Sequence, residues 1–221
     1  MEKTNGKRLE KQLQFLLEID KEKFVERQTY LSDGKRREND AEHAWHMAVM
    51  TLLLSEYSNT PIDVLKTVAM VLIHDLVEIY AGDTYAYDEA AKETQTRREA
   101  DAADRLFAML PADQADKIRA LWEEFDAGET QEARFANTMD NLQPTMLNNS
   151  IDGQGWVEHH VTEDQILERN QHTAEGSRIL WDYSLHQWIE PHVRAGHIAS
   201  DGKTEKKQEQ DSKAEKKRKN L

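Results

Sequence analysis

The stretch that decides the fold is VLIHDLVEIYAGDT, residues 71–84. Its apolar residues have the spacing of a buried helix, yet it also contains His74, Asp75, Glu78 and Asp83. A buried charge is costly unless it is paired or bound to a metal ion. Residues three or four apart lie on one side of a helix, so His74, Asp75 and Glu78 face a common point. The stretch therefore predicts a metal or catalytic site rather than an exposed polar edge.

Two more histidines and one aspartate are candidate ligands outside this stretch. His43 and His46 in AEHAWHMA, residues 41–48, are three apart and share a helical face, so either could supply a third ligand. Asp140, in RFANTMDNLQPTMLNN at residues 134–149, could supply a fourth, although taken alone it is more typical of an ordinary helix aspartate. Because the chain has no cysteine, any metal is bound through nitrogen and oxygen.

The rest of the chain has apolar residues almost entirely at helical period. An apolar stripe on one face predicts a first helix, and this stripe consists of Leu9, Leu13, Leu16 and Leu17. Residues 41–58 predict a second helix capped by Asn39 or Asp40. A third is expected between the cap Thr60, with Pro61 in its first turn, and Gly82 at its end.

Further helices are expected over residues 93–110, 111–125, 130–148 and 163–183, with a short one over residues 187–196. The longest irregular segment spans residues 148–164, where two glycines allow a functional loop between helices. No alternating strand pattern competes with these helices. The sequence therefore predicts a single compact all-α bundle over residues 1–200.

Composition and charge limit the classes of partner. The chain has 221 residues, of which 38% are apolar, enough for a sizeable core. Residues 201–221 hold eight Lys/Arg against five Asp/Glu, with Ala214 and Leu221 as the only apolar residues, which predicts a charged, flexible tail. The net charge of -13 argues against polymeric nucleic acid as a partner. The charged start lacks a signal-peptide core and no segment is apolar enough to span a membrane, so we expect a cytoplasmic protein without membrane contact.

Taken in order, AEHAWH, HDLVEIYAGD and MDNL resemble the H…HD…D signature of the HD-domain metal-dependent phosphohydrolases. The resemblance covers residues 9–183 and is greatest to the small 5'-deoxynucleotidases of that family. It implies that His43, His74, Asp75 and Asp140 bind one divalent ion, with His46 as a neighbouring or core residue. Two imidazoles and two carboxylates would accept Mn, Co, Fe, Ni, Zn or Mg, so the metal is not identified by its ligands.

The same resemblance implies an activity and further site residues. The expected reaction removes the 5'-phosphate from (deoxy)nucleoside monophosphates through a metal-activated water. Glu78 would orient or deprotonate that water, and Asp83 would protonate the leaving oxygen. Arg27 is the first choice for a phosphate contact and Arg36 the second. Tyr30 is expected to pack on the sugar, although its spacing from Arg27 departs from the family pattern.

Two alternatives remain open at this point. Another nucleotide hydrolase of the family, acting on a stringent-response nucleotide or a nucleoside triphosphate, shares the single-metal signature. A non-catalytic domain that binds nucleotide or metal is the alternative from a different class, and the loss of a ligand would indicate it. Short length without a second domain favours a monophosphate substrate. The resemblance also implies a homodimer.

Overall fold

The computed structural model describes residues 2–199, apart from the side chains of residues 2–5 and 89. Its α-helices are α1 (Glu2–Ile19), α2 (Asp40–Leu54), α3 (Val64–Ile73), α4 (Glu78–Ala81), α5 (Glu89–Phe107), α6 (Ala112–Ala127), α7 (Gln131–Ser150), α8 (Gln154–Glu158), α9 (Glu163–Arg169), α10 (Thr173–Gly176), α11 (Arg178–Ser184) and α12 (Glu190–Ala195). Short 3₁₀ turns follow α1 and α2, at Asp20–Phe24 and Ser55–Tyr57, and a π-helical turn, Leu185–Ile189, precedes α12. The all-α prediction is confirmed. The predicted tail, residues 201–221, lies outside the described residues, and the domain boundary at residue 200 stays a prediction.

A small antiparallel hairpin forms a two-stranded sheet among the described residues, which also contain an isolated bridge between Thr162 and Ala199. Strands β1 (Glu26–Tyr30) and β2 (Arg37–Asn39) pair with Glu26 opposite Asn39 and Tyr30 opposite Arg37. Strands of five and three residues are too short to show the alternation that marks a strand in sequence. The hairpin delivers the chain to α2, whose capping box is formed by Asn39 and Glu42, so Asn39 is the cap.

The predicted third helix is wrong in both its start and its continuity. Asp63, not Thr60, caps α3 by accepting a hydrogen bond from the Lys66 backbone N–H. The helix then ends at Ile73, because the His74 imidazole Nδ1 lies 2.9 Å from the Val71 carbonyl, which a continuing helix would use for the backbone of Asp75. The following bonds span three residues, as in Glu78 N–H to the Asp75 carbonyl at 2.8 Å. The predicted end at Gly82, with φ of +78°, is confirmed as the cap of α4.

The predicted helix over residues 163–183 is likewise divided, into α9, α10 and α11. Asn170 ends α9 by donating its side-chain amide to the Ile166 carbonyl, and Ser177 caps α11 by accepting from the Leu180 N–H. Polar side chains that bond the backbone in this way compete with a continuous helix. The irregular segment over residues 148–164 contains the short helix α8.

Helix α7 is the centre of the molecule and packs against α2, α3, α6 and α10. The main apolar cluster joins α2, α3 and α7 through side chains with no exposed surface, among them Met47, Met70, Val71, Phe135 and Met139. A second cluster around Leu106 and Phe107 joins α5 to the segment that follows α3. The polar turn at residues 74–77 therefore lies between two apolar clusters and against α7. No helix among the described residues is long and apolar enough to cross a membrane.

Two stripes of large apolar side chains face outward instead of into this core. The α1 stripe that predicted the first helix, Leu9, Leu13, Leu16 and Leu17, is 55–75% exposed. On α2, residues at the same spacing form what we call the outer α2 face, made of Trp45, Val49, Leu52 and Leu53, which are 36–68% exposed. The described part of the chain leaves both stripes uncovered.

Candidate active site

The four predicted metal ligands converge from three elements of the fold. His43 lies on α2, His74 and Asp75 lie in the turn after α3, and Asp140 lies on α7. The His74 Nε2 is 2.9 Å from Asp75 Oδ2, and the His43 Nε2 is 3.2 Å from Asp140 Oδ1. The remaining cross-distances are 3.8 Å from His74 Nε2 to Asp140 Oδ1 and 4.0 Å from His43 Nε2 to Asp75 Oδ2. Each imidazole Nε2 thus lies within 4.0 Å of an oxygen of both carboxylates.

The outer nitrogens of both imidazoles are held so that the inner nitrogens face this point. The His74 Nδ1 donates to the Val71 carbonyl, and the His43 Nδ1 lies 3.1 Å from Gln143 Oε1. The Gln143 amide is itself oriented, because its Nε2 donates to a Glu38 carboxylate at 2.8 Å. With the outer nitrogens so engaged, each Nε2 presents its lone pair to the cluster, as a metal ligand requires. The His46 Nδ1 lies 3.3 Å from Gln143 Nε2, and its ring stacks with Trp45, so His46 is a neighbour of the ligand group and not a member of it.

A second acidic group lies beside the first. The carboxyl oxygens of Asp40, Glu78 and Asp83 lie within 4.8 Å of one another, as do the ligand atoms of His43, His74 and Asp75. Burial, reinforced by the charge of Asp75, raises the pKa of Asp40 to about 7 and that of Glu78 well above its usual range. Burial also raises the pKa of Asp83. The region therefore holds more negative charge than its neighbours neutralise.

The residues present fit a divalent cation on two grounds. Burial, the largest single influence, would lower the pKa of His74, but the charge and hydrogen bond of Asp75 together with the charge of Asp140 outweigh it and raise the pKa, so the surroundings favour positive charge. The buried atoms of the described chain that lack an aligned hydrogen-bond partner include His74 Nε2, Asp40 Oδ2 and Glu78 Oε2. Buried polar atoms normally have partners, and nitrogen and oxygen donors of this kind are those that divalent metals accept.

Arg27 places a guanidinium against two of these carboxylates, Asp75 and Asp40. From strand β1, its NH1 donates to Asp75 Oδ2 at 2.7 Å and to Asp40 Oδ1 at 3.1 Å, and its Nε lies 3.7 Å from Glu38. The side chain is 13% exposed and its Nε has no hydrogen-bond partner. Arg27 therefore offsets part of the acidic charge while still reaching the open side of the site.

A cleft of about 750 Å³ opens onto the cluster. Six of the residues predicted for the site line it: Arg27, His74, Asp75, Glu78, Asp83 and Asp140. Its walls also include aromatic side chains, Tyr85, Tyr87, Trp122, Phe125 and Trp156. Ligand clefts commonly have volumes of roughly 300–1,000 Å³, so this one is large enough for a nucleotide.

Tyr30 and Arg36 are not brought to this cleft. The Tyr30 hydroxyl donates to Glu158 at 2.8 Å, and the guanidinium of Arg37 lies 5.7 Å from its ring centre. Arg36 forms a two-pronged contact with Glu42, at 2.6 and 2.9 Å. Both side chains hold the hairpin to its neighbours, and their predicted substrate contacts stay predictions.

Sequence reasoning missed four residues that shape the site. Asp40 and Glu38 stand next to the predicted cap of α2, where an acidic residue is expected for capping alone. Gln143 stands three residues after Asp140 and so shares its helical face, which was a usable signal. Arg169 donates from α9 to Asp140 at 2.6 Å, and nothing in its local sequence indicated this contact.

Comparison with known proteins agrees with this geometry. The human 5'-deoxynucleotidase HDDC2 is 30% identical over 132 residues, which cover 59% of this chain and 63% of that protein. The bovine 5'-deoxynucleotidase HDDC2 is 31% identical over 133 residues with the same coverage. The match thus spans less than two thirds of the length of these relatives.

Solved structures and the family model extend the comparison. A crystal structure described as a predicted metal-dependent phosphohydrolase from Magnetospirillum magnetotacticum MS-1 has a TM-score of 0.83 and 45% identity, covering 87% of this chain and 96% of that one. A conserved hypothetical protein from Pyrococcus furiosus, at a TM-score of 0.56 and 21% identity, shares the fold. The model of the HD domain matches residues 19–181, well over half of the sequence. The family predicted from the motifs is confirmed, and the chain belongs to the HD-domain family.

Proposed function

We propose that this protein is a metal-dependent phosphohydrolase that removes the 5'-phosphate from (deoxy)nucleoside monophosphates. The observation that carries the proposal is the convergence of two imidazoles and two carboxylates at the inner end of a nucleotide-sized cleft, with a guanidinium beside them. The 5'-deoxynucleotidase name of the matched relatives supports the substrate class. The description of the Magnetospirillum structure supports the reaction class.

His43, His74, Asp75 and Asp140 would hold one divalent ion, for which Mn, Co, Fe, Ni, Zn and Mg are all candidates. When bound, such an ion supplies Lewis-acid activation of water and of the phosphate group. The protein prepares the site for it by fixing the two imidazole rings through Gln143 and the Val71 carbonyl. Fixing ligand orientation in this way raises metal affinity.

Glu78 and Asp83 are the proposed acid–base residues. Glu78 lines the cleft one turn beyond Asp75, is 7% exposed and has a carboxyl oxygen without a partner. It is placed to orient the attacking water and to accept its proton. Asp83 follows Gly82 on the same wall of the cleft and is placed to donate a proton to the leaving oxygen of the nucleoside.

Arg27 is the proposed phosphate contact, since its side chain lines the cleft beside Asp75 and keeps donors that no carboxylate uses. Guanidinium groups match the geometry of phosphate oxygens. Arg36, paired with Glu42, and Tyr30, bonded to Glu158, would need to change partners to reach a ligand. We therefore rank both below Arg27.

The alternatives from the sequence are weakened by charge. Carboxylates outnumber basic side chains along the cleft and include Glu99, Asp126, Glu168 and Glu175 beyond the cluster. This negative charge disfavours the additional phosphates of a nucleoside triphosphate or a stringent-response nucleotide. All four ligands are present, which disfavours a non-catalytic module.

A phosphate-release assay tests the proposal directly. The purified protein would be loaded with Mn or Co and offered the ribo- and deoxyribonucleoside monophosphates in turn, with a chelator-treated sample as control. We expect release from at least one deoxynucleoside monophosphate that depends on the metal. Silence on every monophosphate from protein with bound metal would instead support the non-catalytic module.

We further propose that the protein forms a homodimer through the outer α2 face. Trp45, Val49, Leu52 and Leu53 lie at positions i, i+4, i+7 and i+8, so they form one continuous apolar surface. Contiguous apolar patches on a folded domain indicate protein contacts. A cytoplasmic location stays a prediction, supported by the cysteine-free composition.

A further inference from the structure

Arg169 extends from a firmly held position toward the ligand cluster. It is the last residue of α9, which begins with a capping box formed by Thr162 and Gln165. Ile166, one turn earlier, has no exposed surface and packs in an apolar cluster with Trp156. Asn170, directly after Arg169, is 4% exposed and bonds back to Ile166. The backbone that carries the guanidinium is therefore fixed.

The two carboxylate oxygens of Asp140 have different partners. Arg169 NH2 donates to Oδ2 at 2.6 Å. The other oxygen, Oδ1, lies 3.2 Å from His43 Nε2 and 3.8 Å from His74 Nε2. Arg169 thus reaches the edge of the cluster without taking the oxygen that faces the imidazoles.

The two arginines at the cluster differ in how much of their charge is already engaged. Arg27 lies among Glu38, Asp40 and Asp75 and is 13% exposed. Arg169 meets a single carboxylate, that of Asp140, and is 38% exposed. A guanidinium has five N–H donors, and within residues 2–199 the only side-chain hydrogen bond of Arg169 is the one to Asp140. Most of its donors therefore remain for a ligand in the cleft that it lines.

We propose that Arg169 is a second phosphate-binding residue, which holds a phosphate monoester dianion from the Asp140 side while Arg27 holds it from the Asp75 side. The inference rests on the proposed function, because it assigns a contact for the substrate of that reaction. The NH2 group keeps its hydrogen bond to Asp140. The remaining N–H donors bond phosphate oxygens in the two-pronged geometry that suits arginine. Lysine would supply the charge without that geometry.

Direct binding of inorganic phosphate to the Mn-loaded full chain tests this role. We expect Arg169→Gln to weaken phosphate binding by about ten- to a hundredfold in calorimetric titration, since charge-assisted contacts are lost. Mn affinity, measured separately, should stay within about twofold of the parent, and Arg169→Lys should recover part of the loss. The matched control is Arg178→Gln, which removes the same charge from an exposed pair with Asp182 outside the cleft lining. It should bind phosphate like the parent.

Three results would overturn the inference. Equal phosphate affinity in Arg169→Gln and the parent would show that the guanidinium does not touch phosphate. A loss of Mn affinity that accounts for the loss of phosphate binding would make Arg169 a positioning residue for Asp140 alone. A parent that binds no phosphate would also reject it, and phosphate release from nucleotides, assayed separately, would then report whether the proposed function still stands.

Discussion

Two regions of this molecule reverse the usual distribution of polar and apolar side chains. In the ligand cluster, which joins the turn after α3 to α4 and α7, the ionisable groups His74, Glu78 and Asp140 are only 5–8% exposed. On the outer α2 face, Trp45 and Leu53 are 66% and 68% exposed. Burying charge is costly without partners, and exposing contiguous apolar surface is unfavourable without a cover. Each region is therefore incomplete by itself. The ligand cluster, which we call the inner region, lacks a cation, and the outer α2 face, the outer region, lacks a protein surface to cover it.

The largest expected effect is loss of the inner region's cation. His74→Ala, Asp75→Ala and Asp140→Ala should each abolish both bound divalent metal and phosphatase activity, because each removes a converging donor. Helical content should persist, since the apolar clusters around the turn are untouched. Elemental analysis and circular dichroism measure the two outcomes. Full metal occupancy in Asp140→Ala would remove that residue from the ligand set and reopen His46.

The next effect separates metal binding from chemistry inside the same region. Glu78→Gln should keep the metal, because the four ligands remain, yet lose a general-base contribution of about 10²–10⁴ in kcat. Asp83→Asn is the matched comparison. It should be slow on nucleotides but recover on a nitrophenyl phosphate, whose leaving group needs little protonation. A Glu78→Gln enzyme with normal turnover, or an Asp83→Asn defect independent of the leaving group, would show that these roles are assigned wrongly.

A smaller effect is expected from replacing Arg27, the guanidinium that already lies against the carboxylates of the inner region. Arg27→Ala removes a charge-assisted contact worth about 1.5–3 kcal/mol, so kcat/KM should fall by roughly ten- to more than a hundredfold. Metal content should not fall, because Asp75 and Asp40 lose a competing cation. Steady-state kinetics and elemental analysis check both statements. Unchanged kinetics would leave the phosphate contact to Arg169 or Arg36.

The two regions also differ in how far sequence predicts them. Local spacing identified His74, Asp75 and Glu78 because neighbours three or four apart share a side whether the backbone is α-helical or tightens to 3₁₀ turns. Spacing did not reveal the break at His74, because the break involves a hydrogen bond from its imidazole to the Val71 carbonyl, and residue spacing carries no information about such a side-chain bond. Arg169 escaped notice because its contact with Asp140 joins residues 29 apart, and only tertiary packing sets such a distance.

For the apolar stripes, the sequence predicted the helices but not whether their apolar faces point into the core or outward. Leu9, Leu13, Leu16 and Leu17 form a regular stripe, yet α1 reaches the second apolar cluster through Phe15 and Ile19 instead. Periodicity shows that a helix has an apolar face and says nothing about whether the same chain covers it. An interface between copies and a core have the same pattern in sequence.

The smallest expected effect tests the outer region by a matched pair of substitutions on α2. Leu52→Glu places a charge on a half-exposed position of the outer α2 face, so a dimer formed there should dissociate at least about tenfold more readily. The unfolding free energy of the monomer should change by no more than about 0.5 kcal/mol, as for other surface positions. Met47→Ala, five residues earlier on α2 and with no exposed surface, should instead cost about 2–5 kcal/mol of stability. Sedimentation velocity and denaturant titration measure the two quantities. Leu13→Glu is the matched control, because it gives the same charge to the α1 stripe. If Leu13→Glu dissociates the dimer and Leu52→Glu does not, the interface lies on α1. A parent protein that sediments as a monomer at all concentrations would reject the dimer.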